Sequence, residues 1–229
     1  MAKIVITGAS SGIGESIAEV FYQDGDHEMI LIGRSKRRLE RVAKSTDAEY
    51  IICDVTNEDQ VERSCSEILA QFQAAPDILV NNAGQFIPEP FLSTSSALFR
   101  QQIDTNLTGC FLVTKGLLPS MIQIQSGHVF FMGSVASVKG FTGASAYCAA
   151  KHGLLGLARS IRGETMNSGV RITTILPGAT LTPSWEGTTL AEERFMPPAD
   201  VAHCVLDTWK LSQRTVVEEL LIRPTQGDI

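Results

Sequence analysis

Cysteine is scarce and solitary in this sequence. The five residues, Cys53, Cys65, Cys110, Cys148 and Cys204, are scattered singly with no CxxC pair. An odd, dispersed set argues against a disulfide scaffold or a thiolate metal site and fits reduced thiols in a cytoplasmic protein. Histidine is rarer still: there are four, none at metal-ligand spacing from another histidine or cysteine, so no metal site is expected. No stretch approaches the roughly 18 continuous apolar residues of a membrane span. The opening MAKIVITGAS runs straight into a strand-like segment without a charged leader, so no membrane partner is expected. Positive charge is also in deficit, 19 basic against 25 acidic residues for a net charge of −6, which disfavours a nucleic-acid-binding surface.

What the sequence does have is core. Of 229 residues 44% are apolar and 19% charged, enough for one α/β domain over 1–229 with a full hydrophobic interior. Short apolar runs rich in β-branched residues recur at 3–7, 28–33, 50–55, 77–81, 128–133, 170–176 and 217–222. Runs without polar alternation imply strands buried on both faces, as in parallel sheets. Segments of helical spacing lie between them: one follows Gly14 and ends near Gly25, and others span about 58–73, 96–122 and 145–167. Gly25 and Gly169 stand where C-terminal glycine caps are expected. The alternation predicts a doubly wound α/β architecture with helices on both faces of a seven-stranded, mostly parallel sheet. The segment 182–198, with its prolines and isolated Trp185, Phe195 and Met196, reads as a mobile substrate loop.

The first strand runs directly into TGASSGIG (7–14), and a helix follows. Gly8, Gly12 and Gly14 permit a tight turn and close backbone approach, while the helix N-terminus offers free N–H groups to a pyrophosphate. Ser10, Ser11 and Ile13 belong to the same candidate cradle. The spacing is Gly-xxx-Gly-x-Gly rather than GxGxxG, but its place between strand and helix points to a dinucleotide. About 20 residues on, where a ribose-binding acid is expected, stands GRSKRR. Gly33 leaves no carboxylate to repel a 2′-phosphate and Arg34 offers a planar fork to grip one, which predicts NADP(H) in preference to NAD(H). Lys36, Arg37 and Arg38 could add local positive potential there, but read first as the solvated face of a helix.

One further stretch, SAYCAAKHGL (145–154), places Tyr147 and Lys151 four residues apart in a helix-favouring run. Four residues turn a helix by about 400°, so the phenol and the ammonium share a face.

Together, TGASSGIG, Asp54-Val55, NNAG (81–84), Asn106, Ser134, YCAAK (147–151) and PGATLT (177–182) resemble the short-chain dehydrogenase/reductase family in order and spacing, from residue 3 to about residue 182. The resemblance implies a Rossmann-type three-layer sandwich and hydride transfer between a nicotinamide cofactor and a carbonyl or alcohol. It implies that Tyr147 exchanges the proton of the substrate oxygen, aided by Lys151. Ser134, thirteen residues before Tyr147, would polarise that oxygen; a turn or capping serine, or the neighbouring Ser137, are the other readings. Asn106 would support a water that links Lys151 to solvent. Asp54 and Val55 would hold the adenine, Ala83 and Gly84 would let the backbone approach the cofactor while Asn82 tethers neighbouring strands, and Pro177, Gly178, Thr180 and Thr182 would face the nicotinamide.

The expected substrate is a small to medium apolar ketone, aldehyde or secondary alcohol, bounded by candidate wall residues Phe86, Ile87, Phe91, Val135, Trp185 and Phe195. A 3-oxoacyl thioester reductase and a non-catalytic dinucleotide sensor are the competing functions. The resemblance also implies a homodimer through the helices around 96–122 and 145–167, with a tetramer as the other possibility.

Overall fold

A computed structural model describes all 229 residues. Seven strands, β1 (Lys3–Thr7), β2 (Glu28–Gly33), β3 (Glu49–Ile52), β4 (Ile78–Asn81), β5 (Gly127–Met132), β6 (Val170–Pro177) and β7 (Glu219–Ile222), form one sheet. Its order is β3-β2-β1-β4-β5-β6-β7 and every pairing is parallel. Strand order reverses between β1 and β4, where such sheets open a ligand crevice beyond the strands' carboxyl ends.

The strands are apolar throughout because both faces are covered. Alternate residues of one strand enter different cores. Ile4, Ile6, Ile78, Val80, Phe130 and Met132 meet helices α1 (Gly12–Asp24), α2 (Lys36–Thr46) and α7 (Pro198–Lys210) on one side. Val5, Leu79, Val129 and Phe131 meet α3 (Glu58–Phe72), α5 (Gly109–Gln123) and α6 (Ser145–Thr165) on the other. Phe130 and Phe131 are each fully buried, one into each core. Burial of a side chain of that size contributes roughly 1.5–3 kcal/mol.

Several sequence-level expectations need adjustment. The sheet is wholly parallel. The run at 96–122 is interrupted: α4 (Ser96–Ile103) passes through one π turn, Asp104–Thr108, before α5. β3 ends at Ile52, so Asp54 and Val55 lie in the following turn. Gly169 lies beyond the end of α6 at Thr165 and leads into β6, so it is no helix cap. Helix α7, which starts at the last residue of the expected loop, was not predicted from the sequence pattern. Its Val201, Ala202, Val205 and Leu206 are all buried.

The segment expected to be a mobile loop is anchored at both ends. Leu181 N donates to Met196 O and Met196 N donates to Ala179 O, both at 2.9 Å, which brings the two ends together as in an Ω-loop. Phe195 and Met196 are buried, so their bulk serves packing. No helix is long and apolar enough to cross a membrane.

Candidate functional site

A single cavity of about 490 Å³ opens at the carboxyl edge of the sheet. Of the candidate catalytic and cofactor-binding residues, all but Gly14 line it. Gly14 is a packing residue: a Cβ there would lie 2.4 Å from Gly8 O and 2.5 Å from Asn82 Nδ2, so only glycine lets α1 settle against the β1 exit.

At one end of the cavity lies the start of α1. Ser11 occupies the N-cap position with extended backbone, but its side chain makes no capping bond. The first-turn N–H groups are therefore left without a side-chain acceptor, an arrangement suited to an anion. Thr7 and Asn82 hold this turn in place. Thr7 Oγ1 accepts from Asn82 N and Ala83 N at 3.0 Å each, and Asn82 Nδ2 donates to Thr7 O at 3.0 Å and Gly8 O at 3.2 Å.

Arg34 and Arg38 both line the cavity, and neither pairs with a carboxylate. Lys36 reaches Glu40 at 3.7 Å and Arg41 grips Glu15, so the remaining charges of this basic run are taken up or turned elsewhere. Arg38, read first as solvated helix face, lines the cavity instead. Its signal was there: α2 begins at Lys36, so Arg38 stands in the first helical turn beside Arg34. Asp54 Oδ1 accepts from Thr56 N at 3.0 Å and Thr56 Oγ1 at 2.8 Å, which leaves Oδ2 without a protein partner. Burial holds the neighbouring Cys53 thiol above its ordinary range, which keeps it protonated.

At the other end, α6 presents Tyr147 and, one turn on, Lys151. Lys151 is 4% exposed, and its ammonium lies 5.6 Å from the Tyr147 ring centroid. It donates to Met132 O at 2.8 Å, which uses one of an ammonium's three donors. Phe86 packs edge-on against Tyr147 with ring centroids 5.0 Å apart. Burial pushes the nearby Cys110 thiol up to about 11 despite the opposing Lys151 charge, so no thiolate competes for that cation.

Ser134 caps the short turn Val135–Ser137. Its Oγ accepts from Ala136 N at 3.1 Å, and its own N–H donates to Ser137 Oγ at 3.2 Å. The capping reading and the cavity reading both hold, because a hydroxyl that accepts one bond still has its proton to donate. Ser137 is 2% exposed and does not line the cavity.

Asn106 occupies the π turn with its side-chain amide already engaged. Nδ2 donates to Gln85 O at 2.8 Å and to Gln102 O at 3.0 Å, and Oδ1 accepts from Gln85 N at 3.1 Å. The amide clamps the backbone that carries Phe86.

Pro177, Gly178, Thr180 and Thr182 follow β6 along the cavity wall. Thr180 Oγ1 donates to Gly178 O at 3.0 Å, and a Cβ at Gly178 would approach Pro224 Cδ to 3.0 Å. Of the expected apolar wall, Phe86, Val135 and Trp185 line the cavity, whereas Ile87, Phe91 and Phe195 do not. Phe91 is exposed and Phe195 is buried in packing. Phe141, Asp228 and Ile229 line it as well, and local sequence pattern held no sign of them.

Comparison with known proteins agrees with this geometry. The family model described as short chain dehydrogenase matches residues 2–193. A sepiapterin reductase of Chlorobaculum tepidum is 35% identical over 99% of this chain and 97% of that protein. The crystal structure of an alcohol dehydrogenase from the archaeon Thermococcus sibiricus, complexed with 5-hydroxy-NADP, superimposes with a TM-score of 0.92 at 29% identity, covering 99% of this chain and 97% of the other. A serine dehydrogenase complexed with NADP+ gives a TM-score of 0.89 at 27% identity, over 99% and 96% of the two chains.

Proposed function

We propose, from the premise that the chain belongs to the short chain dehydrogenase family, that this oxidoreductase uses NADP(H) to interconvert a small to medium apolar ketone or aldehyde and its alcohol. The observation that carries the reading is one cavity that joins an uncapped helix N-terminus and two unpaired arginines at one end to Ser134, Tyr147 and Lys151 at the other.

The residues present fit such a cofactor. The α1 N-terminus suits a pyrophosphate, the Oδ2 oxygen of Asp54 suits an amino group, and Arg34 with Arg38 suits a 2′-phosphate. When bound, the reduced nicotinamide supplies a hydride. In carbonyl reduction the substrate oxygen gains negative charge and needs a proton. Ser134 O–H polarises that oxygen, and Tyr147 O–H donates the proton. The buried Lys151 ammonium stabilises the phenolate left behind, since charge interactions strengthen where water is excluded. Asn106 contributes by clamping Gln85, and through it by placing Phe86 beside the phenol.

The wall of Phe86, Phe141, Val135 and Trp185 supports an apolar substrate. Exposed Phe99 and Phe111 on α4 and α5 support a homodimer through these helices, which light scattering after size exclusion would show as twice the chain mass. The dispersed free cysteines support a cytoplasmic location. NADPH oxidation against a panel of ketones, aldehydes, quinones, sepiapterin and a 3-oxoacyl thioester tests the reading. Turnover of a compact apolar carbonyl is expected, and the absence of turnover across the panel with NADPH bound would favour a dinucleotide sensor.

A further inference from the structure

The segment after β7 returns to the cavity. Arg223 leaves the strand, Gly227 N donates to Pro224 O at 2.8 Å to close a turn, and Gly227 adopts a left-handed φ of 84°. The chain is thereby redirected so that Asp228 and Ile229 form part of the cavity wall.

Two cations meet the Asp228 carboxylate and a third meets its backbone carbonyl. Lys139, in the loop that follows Ser134, reaches Oδ2 at 3.2 Å, and Arg223 Nε lies 3.1 Å from Oδ1. Arg194, in the loop between β6 and α7, donates Nη2 to the Asp228 carbonyl at 3.3 Å. Each contact ties down a piece of the substrate end. Lys139 also sits 5.0 Å above the ring of Phe141, a wall residue. Arg194 adjoins Phe195, whose ring lies 4.9 Å from that of Trp185, another wall residue.

We propose that Asp228 is a positioning residue, a latch whose carboxylate draws the Phe141 loop onto the β7 exit and thereby holds the Asp228 carbonyl where it retains the Trp185 loop through Arg194, so setting the shape of the substrate end of the cavity. Its charge would govern substrate fit and leave proton transfer to other groups. Three considerations favour this over an incidental surface pair. Asp228 is itself cavity wall, its side chain is 17% exposed while Lys139 and Arg223 are more open, and its contacts with Lys139 and Arg194 come from segments remote in sequence. Single exposed ion pairs contribute little, but two cations sharing one largely buried carboxylate form a small network.

The inference rests on the proposed carbonyl chemistry for its kinetic consequence but not for its structural one, and the test separates the two. Trp185 and Trp209 are the only tryptophans, so in a Trp209→Phe background fluorescence reports the latched loop alone. Adding Asp228→Asn should raise acrylamide quenching of Trp185 by about twofold, and raising salt to about 0.5 M in the parent should move it the same way. With a bulky ketone, KM should rise about fivefold while kcat and the NADPH dissociation constant stay within about twofold. Lys139→Gln should give a smaller change of the same sign, and it serves as the second variant if Asp228→Asn folds poorly. Unchanged quenching in both variants would overturn the latch, whether or not a substrate is found. Loosened quenching with unaltered KM would overturn its role in fitting substrate. A fall in kcat with KM unchanged would overturn it too, since that would place Asp228 in the chemistry instead.

Discussion

Strands β5 and β6 each carry polar groups at both ends, and the two ends treat them differently. Beyond their carboxyl ends stand Ser134, Pro177 and Gly178, on the cavity. At their amino ends stand His128 and Arg171, in packed surroundings. The buried cations make the contrast sharpest. Arg171 is 5% exposed and donates to Thr208 O, Trp209 O and Leu211 O, the last carbonyls of α7, at 3.5, 2.9 and 3.1 Å. Its charge is used to cap a helix, where a cation complements the C-terminal dipole. Lys151 is buried to the same degree but makes one main-chain bond, and the cavity adjoins its remaining donors.

The neutral side chains repeat the pattern. His128 Nε2 lies 2.7 Å from Thr173 Oγ1, and that hydroxyl donates onward to Val217 O at 2.6 Å. Thr173 therefore has its proton committed, and His128 must be the donor through Nε2. Ser134 has the opposite balance, with an acceptor spent on a cap and a proton to give. His128 Nδ1 and Arg171 Nε also lack partners, so full satisfaction does not separate the two ends; the difference is that the spare bonds of Ser134 and Lys151 adjoin the main cavity, where a ligand can use them.

Substitutions at the two ends should separate these roles. The largest effect is expected at Tyr147→Phe, about a thousandfold loss of kcat in the carbonyl panel with NADPH binding and thermal midpoint little changed. Activity at the parent level would remove Tyr147 from the chemistry. Arg171→Met should do the reverse: about 3 kcal/mol of stability lost in urea melts, since three α7 carbonyls lose their partner, with NADPH affinity intact. If it instead weakened NADPH binding, the two ends would not be separable.

Arg34→Ala comes next, with NADPH affinity reduced about thirtyfold and NADH affinity nearly unchanged, a difference of about 2 kcal/mol for one charge-assisted fork. Calorimetric titration with each dinucleotide would show it, and equal losses for both would remove the 2′-phosphate assignment.

The smallest effect is acid sensitivity at His128. Burial, with the Arg171 charge in support, lowers its pKa from 6.5 to about 2. The unfolded chain takes up the proton near 6.5 and the folded one does not, so this contribution is complete above that pH and lost as acid is added. The slope below about pH 6 should be about 1.4 kcal/mol per pH unit. Denaturant melts of His128→Gln should lack that component, and an unchanged slope would assign the acid sensitivity elsewhere.

Much of this molecule was legible from the chain alone. Seven apolar runs marked seven strands, because strands buried on both faces need no polar alternation. Helix α7 went unread because Pro197 and Pro198 read as loop, although Pro198 is the first residue of the helix, where proline is well tolerated. The π turn at 104–108 was invisible because its extra residue leaves the apolar pattern of α4 and α5 almost intact.

Residue spacing by itself determined that Tyr147 and Lys151 share a helical face, and that a glycine-rich turn leads from β1 into α1. Those are local consequences of helix pitch and backbone freedom. Tertiary structure alone decided which polar groups would have bonding capacity to spare: that Ser134 rather than Ser137 meets the cavity, that the Asn106 amide is spent on Gln85, and that Arg38 stands with Arg34. It also brought Asp228 to Lys139 across 89 residues of chain. The reason is physical. Whether a donor or acceptor is satisfied depends on what folds against it, and those partners come from distant segments whose meeting no local periodicity encodes.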